Sequence, residues 1–146
     1  MPVETPPASV GASGPLWQLE AVGYLLLAHV VLKFWTFERI AHMLSSQVKE
    51  PPLQTQERER VRNCVRNAIF RVWRCCPASN SCFHRALAAY WMLRRRGISS
   101  QMYYGAARDP ESSLIGHVWL MDGEAGVVGM DAARQLPVLA CFSDAR

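Results

Sequence analysis

The sequence has few of the features that mark a secreted, disulfide-bonded or metal-binding protein. Its five cysteines are an odd number, two of them are adjacent, and no Cys-x-x-Cys pair occurs among them. No secretory signal precedes them, which argues against a disulfide framework and predicts a reducing, cytoplasmic location. The cysteines are Cys64, Cys75, Cys76, Cys82 and Cys141.

The chain also lacks internal repeats and a clear membrane span. The apolar run at residues 21–32 is shorter than a span and is closed by Lys33, so it predicts a helix of the fold and no transmembrane segment. Half of the 146 residues are nevertheless hydrophobic. That is enough for the core of one domain.

Composition shifts divide the chain into three parts. Residues 1–15 are rich in proline and glycine and predict a disordered tail. Residues 16–50 predict a cap of two helices, because apolar residues recur at spacings of three and four and Thr36 suits the start of the second helix. Residues 51–146 predict the core of the domain.

The positive charge is concentrated in one predicted helix at residues 57–74. Six arginines against two glutamates in this segment account for the whole net charge of +4. Such a surface attracts acidic peptides or nucleic acid, whereas the simpler interpretation is a solvated helix face. The arginines are Arg58, Arg60, Arg62, Arg66, Arg71 and Arg74.

The segment from Cys82 to Gly97 predicts a buried helix at the centre of the domain. It is apolar on almost all sides, as helices inside a core are. Asn80 and Ser81 suit its N-cap, and Gly97 suits a left-handed C-cap after three arginines. Cys82 therefore lies on the first turn, where unpaired backbone N–H groups and the positive end of the helix dipole favour the thiolate.

After this helix the pattern changes to short apolar stretches separated by turns. Residues 100–104 and 114–121 predict two strands. Asp122-Gly123 predicts a hairpin turn, after which a third strand begins at Val127 and a short apolar tail packs back on the sheet. The order predicts an α+β domain, in which a buried cysteine-bearing helix packs on a small antiparallel sheet.

A thiol nucleophile needs a base within hydrogen-bond reach and a group that orients the base. His117 is the only histidine in the predicted sheet and lies in the middle of its second strand. A carboxylate from a neighbouring strand can hold the far ring nitrogen. We assign this role to Asp131, at the end of the third strand, with Asp122 in the turn as the alternative.

A helix-borne cysteine, a strand-borne histidine and an aspartate on the next strand, in that order, resemble the transglutaminase-like branch of the papain-type cysteine enzymes. More narrowly, the chain resembles the lasso-peptide maturation proteases, which are the B proteins of lasso-peptide clusters. The matching motifs are Pro77-Ala-Ser-Asn-Ser-Cys82, Leu93-Arg-Arg-Arg-Gly97-Ile98, Tyr104-Gly105, Gly116-His117-Val118-Trp119, Asp122-Gly123, Val127-Val128 and Leu136-Pro-Val-Leu139.

The resemblance implies a protease that removes the leader from a ribosomally made precursor peptide through a thioester. Carried over residue by residue, Cys82 is the nucleophile, His117 is the general base and acid, and Asp131 is the orienter. No cofactor or metal is implied. The family usually has Ala-Trp-Val-Glu after the histidine, where this chain has Val118-Trp119-Leu120-Met121. That departure leaves the triad intact.

The resemblance also implies partners. Some family members carry an amino-terminal leader-recognition domain, and we expect this chain to be the stand-alone protease half. It would then act on a precursor peptide with a separate leader-recognition protein, and with the lasso cyclase as a further partner, but not with nucleic acid. The arginine-rich helix and the helices at residues 17–44 are the candidate docking surfaces.

Three other functions fit parts of the sequence. A transglutaminase-like acyl transfer to an amine would use the same thioester. A zinc site from Cys75, Cys76, Cys82 and His84 would place adjacent cysteines on one tetrahedral ion, which is rare. A basic peptide- or nucleic-acid-binding module would use the arginine-rich helix, but the sequence lacks interleaved exposed aromatic residues.

Overall fold

The structure, a computed structural model, describes residues 14–46, 49, 53–75, 81–111, 113–133 and 135–143. Most of the predicted tail lies outside the described residues, as do residues 76–80 before Cys82. The described elements are α1 (Pro15–Phe34), α2 (Phe37–Leu44), α3 (Thr55–Cys75), α4 (Cys82–Arg94), β1 (Gln101–Arg108), β2 (Leu114–Asp122), β3 (Ala125–Val128), the helical turn α5 (Met130–Ala133) and β4 (Val138–Ser143). Helices packed on one antiparallel sheet confirm the predicted α+β class.

The first two helices form where the residue spacing predicted them. Pro15 lies at the first position of α1, where its missing N–H would have no helical partner in any case. Thr36 is the N-cap residue of α2. The inner face of α1 packs against α3 and α4. Its buried side chains are Ala21, Leu25, Ala28 and Val31.

Helix α4 lies at the centre of the fold and packs against α1, α3 and β2. At its start, the Ser81 hydroxyl accepts a hydrogen bond of 3.2 Å from the Phe83 backbone N–H. At its end, Gly97 has φ of +72°, and the Ile98 N–H donates to the Leu93 carbonyl over 3.1 Å. Both predicted helix ends are therefore confirmed.

The sheet is antiparallel throughout, with strand order β3-β2-β1-β4. Strand β1 runs to Arg108, beyond its predicted end, because it pairs with β2 along its whole length. The apolar tail is a fourth strand at the edge, paired with β1. Tyr103 and Trp119 are opposite each other and stack with ring centroids 5.8 Å apart. The same register places Gly105 opposite His117.

A two-residue turn of Gly123 and Glu124 joins β2 to β3. Gly123 has φ of +61°, a conformation that glycine adopts without the strain caused by a side chain. Strand β3 begins at Ala125, two residues before the predicted start. The predicted hairpin is present, but its turn lies one residue later than predicted, because Asp122 is the last residue of β2.

Helix α3 directs part of its positive charge into the molecule. Arg58 and Arg62 contact the two carboxylate oxygens of Asp122 at 2.7 Å and 3.2 Å. The Asp122 side chain is only 2% exposed. The turn between β2 and β3 is therefore held by a largely buried ion pair, a contact that links residues more than sixty positions apart.

Arg66 extends this contact to the next strand, since it donates to the backbone carbonyls of Gly126 and Val127. We call Arg58, Arg62 and Arg66 the α3 clamp. The interpretation of the arginine-rich helix as a solvated face is wrong for these three residues, because their side chains bind the β2–β3 hairpin.

The outer face of α1 is apolar and exposed. Within the described part of the chain, α1 alone is long and apolar enough to cross a membrane by length and composition. Of the apolar 18-residue stretch of α1 that meets this criterion, 22% is buried in the fold. The helix is longer than the apolar run at residues 21–32, because α1 extends beyond that run at both ends. The α1 outer face comprises Leu16, Leu19, Val22, Leu26, Leu27, Val30 and Phe34.

Candidate active site

Cys82 is the first residue of α4 and its side chain is partly buried. The first-turn N–H groups of a helix lack helical partners and carry partial positive charge, which favours an anion there. In addition, the Val118 backbone N–H donates a hydrogen bond of 3.4 Å to the Cys82 Sγ atom. Helix start and strand backbone thus both stabilise negative charge on the sulfur.

His117 lies on β2, and its side chain is within hydrogen-bond reach of the Cys82 thiol. Its Nε2 lies 2.8 Å from the carbonyl oxygen of Gly129 and donates to it. Nδ1 is therefore the nitrogen left to accept the thiol proton. The Trp119 ring lies on the same face of β2, with its centroid 6.3 Å from that of His117. The structure thus brings two of the three predicted site residues together.

Burial and polar contacts shift the pKa of the Cys82 thiol in opposite directions. Burial raises the pKa of Cys82. Hydrogen bonds from His117 and Val118 outweigh burial, and the positive charges of His117 and Arg85 act in the same direction, so the pKa of Cys82 falls below its ordinary value. A larger fraction of the sulfur is therefore thiolate near neutral pH.

The pKa of the His117 imidazole shifts in the opposite direction. The hydrogen bond to Cys82 raises the pKa of His117, burial opposes it, and the bond to the Gly129 carbonyl raises the pKa further. The positive charge of Arg85 disfavours protonation of His117, yet the pKa of His117 remains above its ordinary value. A thiol with a lowered pKa beside an imidazole with a raised pKa favours the thiolate–imidazolium pair.

Gly129 can hold His117 because it has no side chain. Its φ is +79°, and a Cβ atom there would lie 2.7 Å from the Val118 carbonyl oxygen and 3.1 Å from the Trp119 Cα. Glycine adopts this conformation without strain. Sequence reasoning missed Gly129, since a backbone carbonyl leaves no mark in a pattern of side chains. Its one signal is a glycine between the strand end and Asp131.

The structure does not join Asp131 to His117. Asp131 is exposed on α5 and, among the described residues, makes no hydrogen bond with the ring. The alternative carboxylate, Asp122, is engaged by the α3 clamp. The group observed at Nε2 is the Gly129 carbonyl, and the role of Asp131 stays a prediction.

An oxyanion donor is available at the helix start. The backbone N–H of Cys82 lies in the first turn of α4, where N–H groups have no partner within the helix, and it is a candidate donor to an oxygen formed beside the sulfur. The loop at residues 79–81, just before this helix, is a candidate source of a second donor. Residues 79–80 are outside the described residues, and the Ser81 hydroxyl is engaged in capping.

The other cysteines in the described part of the chain, and His84, lie outside this arrangement. His84 stacks on His29 of α1 with ring centroids 5.5 Å apart, and burial lowers its pKa. Cys75 and Cys141 are exposed, so they do not pack in the core. The described residues contain no group of three or more histidine, cysteine or acidic side chains that could hold a metal. Cys76, from the alternative zinc set, is outside them.

Comparison with known proteins identifies a family. A search of curated proteins gave no match, and neither did a search of solved structures. The model of the transglutaminase-like superfamily, Transglut_core3, matches residues 24–140, which is most of the chain and includes Cys82, His117 and Asp131. Because that match covers well over half of the sequence and the fold sets a cysteine-bearing helix on an antiparallel sheet, the chain belongs to the transglutaminase-like superfamily.

Proposed function

We propose that this protein is a cysteine peptidase that removes the leader from a lasso-peptide precursor. One observation carries the proposal: Cys82, at the start of a buried helix, lies beside His117, whose far nitrogen is held by Gly129. A thiol and an imidazole in this arrangement form a nucleophile without a cofactor. The transglutaminase-like superfamily includes cysteine proteases and acyltransferases, which supports this chemistry.

The first half of the reaction forms a thioester. The Cys82 thiolate attacks the carbonyl carbon of the scissile peptide bond, and the carbonyl electron pair moves to the oxygen. The Cys82 backbone N–H stabilises that oxyanion. The His117 imidazolium then gives its proton to the leaving amine as the C–N bond breaks, and the acyl fragment stays on Sγ.

The second half of the reaction releases the acyl fragment. His117 takes a proton from water, the water oxygen attacks the thioester carbonyl, and the C–S bond breaks to give a carboxylate and the free thiolate. If an amine takes the place of water, the product is an amide and the enzyme is an acyl transferase. Both reactions share the thioester, so only the product separates them.

The choice of a lasso precursor is supported by the residues around the site. The segments ending in Cys82 and surrounding His117 resemble those of the lasso B proteins. The reaction needs a reduced thiol, and we therefore place the protein in the cytoplasm. There it would meet a ribosomally made precursor before the lasso cyclase acts on the released core peptide.

The test uses the full chain and a candidate lasso precursor peptide, with and without a candidate leader-recognition protein. Mass spectrometry should find two fragments whose masses sum to the precursor plus one water. Cys82→Ala should abolish cleavage, whereas Cys75→Ser, which changes an exposed cysteine, should leave the rate unchanged. An intact precursor in the assisted reaction would contradict the proposal, and a product joined to an added amine would favour acyl transfer.

We also propose that the leader-recognition protein docks on the α1 outer face. A disordered leader loses entropy on binding, so a partner that grips it beside the protease raises its local concentration, roughly into the millimolar range. Exposed contiguous apolar side chains are typical of interaction surfaces. The arginines that the sequence also offered for docking are in part engaged by the α3 clamp.

Charge inserted into this face should uncouple the partner. Leu19 and Leu26 are 69% and 64% exposed, so Leu19→Glu with Leu26→Glu should leave the fold intact. The assisted cleavage rate should fall at least about ten-fold, toward the unassisted rate. Leu139→Glu on β4, at 63% exposure, is the matched control. An unchanged assisted rate would refute this docking site, and vesicle binding that the double variant loses would reassign the face to a membrane.

A further inference from the structure

An apolar cavity of about 400 Å³ adjoins the candidate active site. Six side chains from five elements line it, and none of the six carries a charge. Convergence of α2, α4 and three strands on one apolar space is a feature of a binding site, because a closed core would fill the space with side chains. The lining residues are Phe37, Phe83, Met102, Tyr104, Val118 and Phe142.

Two residues that line the cavity also lie next to the nucleophile. Phe83 follows Cys82 directly on α4. Val118 lines the cavity, and its N–H donates to the Cys82 sulfur. A peptide whose carbonyl carbon lies at Cys82 therefore has the cavity within reach of a side chain next to the bond that breaks.

We propose that this cavity binds a bulky apolar side chain of the substrate on the acyl side of the scissile bond. The inference rests on the proposed function only in taking Cys82 as the nucleophile that forms a thioester. In that intermediate the acyl fragment stays attached to the sulfur while the amine leaves. A pocket for the acyl side therefore serves both steps, whereas a pocket for the departing side serves one.

The chemistry of the walls selects the occupant. A carboxylate in the cavity would lose its hydration and find no charged partner among the lining residues, whereas an aliphatic or aromatic side chain would bury apolar surface. The volume lies at the lower end of the range for small-molecule sites, which leaves space for leucine, methionine or phenylalanine. Discrimination of about 10- to 200-fold is typical for such a pocket.

Two phenylalanines form part of the cavity wall, and their substitution can test the specificity of the cavity. Phe37 of α2 lies edge-on to Phe142 of β4, with ring centroids 5.7 Å apart. Phe37 is 56% exposed, so it borders the cavity at the surface. The amino-terminal helices thus contribute to the substrate site, and a change at Phe37 alters the pocket at small risk to the core.

The test measures the pocket without requiring peptide cleavage. Acetyl-dipeptide chloromethyl ketones, in which the thiolate displaces chloride, carry Leu, Phe, Ala or Asp at each of the two positions in turn. The second-order rate of Cys82 alkylation is read by intact-mass spectrometry. At one of the two positions, Leu or Phe should react at least about ten-fold faster than Asp.

Phe37→Lys should reverse this preference. The lysine ammonium group at the border of the cavity would pair with an acidic side chain of the substrate, and it would replace an apolar ring. Phe142→Ala should instead widen the pocket and favour Phe over Leu. Leu114→Ala changes a 69% exposed side chain of β2 that does not line the cavity, and it should leave the Leu to Asp ratio unchanged.

The outcomes separate this inference from the proposed function. Equal rates for Leu and Asp at both positions would overturn the pocket, as would a preference that Phe37→Lys and Phe142→Ala both leave unchanged. A clear apolar preference with an intact precursor would keep the pocket and refute the leader peptidase. Cleavage of the precursor without any side-chain preference would do the reverse.

Discussion

Replacing Gly129 with alanine tests whether a backbone carbonyl holds the imidazole of His117. Gly129 has φ of +79°, and the added Cβ would lie 2.7 Å from the Val118 carbonyl oxygen. Left-handed backbone costs a non-glycine residue about 1–2 kcal/mol, and relief of the close contact must move the peptide that carries the Gly129 carbonyl. The hydrogen bond of 2.8 Å to His117 would then be lost or lengthened.

The size of the effect follows from the charge on the ring. A hydrogen bond to a charged group contributes about 1.5–3 kcal/mol, which corresponds to about a 10- to 150-fold loss of rate. Because the Gly129 carbonyl raises the pKa of His117, its displacement should lower that pKa. The thiolate–imidazolium pair would then exist over a narrower pH range, and the alkaline limb of the activity profile would move to lower pH.

The matched control is Gly123→Ala. Gly123 also has positive φ, at +61°, but an added Cβ would meet no atom within 4 Å. Iodoacetamide alkylation of Cys82 as a function of pH, together with urea denaturation, would be measured for both variants. If the two variants show the same alkylation profile and the same turnover, the Gly129 carbonyl does not position His117.

Three further predictions address the same site and its support. His117→Ala should raise the pH midpoint of Cys82 alkylation, because His117 is one of the groups that hold the thiol pKa below its ordinary value. An unchanged midpoint would contradict the thiolate–imidazolium pair. Asp131→Asn should reduce turnover less than Gly129→Ala, since the carbonyl occupies Nε2; a larger loss would restore the carboxylate as orienter. Asp122→Ala should destabilise the fold by about 2–3 kcal/mol in urea denaturation, between the values of exposed and buried ion pairs, and an unchanged midpoint would contradict this.

The helices were the most predictable part of the fold because their signals are local. The apolar surface of α4, its Ser81 cap and its Gly97 end all lie within one segment, and each contributes to the same helix. The position of Cys82 followed from these signals. The nearness of His117 required only that its strand pack on this helix, which the α+β order implies.

What the sequence did not reveal depends on long-range pairing and on the backbone. The second half of β1 contains Gly105 and two alanines, residues with low strand propensity, and it is a strand because β2 pairs with it. The edge strand β4 was predicted only as a tail that packs on the sheet. Gly129 was missed for a related reason, since its contribution is a carbonyl whose direction depends on φ.

The α3 clamp connects the charge pattern of the sequence to the proposed chemistry. Arg58 and Arg62 fix Asp122 before the turn, and Arg66 binds the carbonyls of β3. Strand β3 ends at Val128, so the next residue is the glycine whose carbonyl holds the imidazole of the proposed base. A concentration of arginines that suggested an acidic partner is thus in part internal. Its structural effect is to set the position of the strand from which the imidazole is oriented.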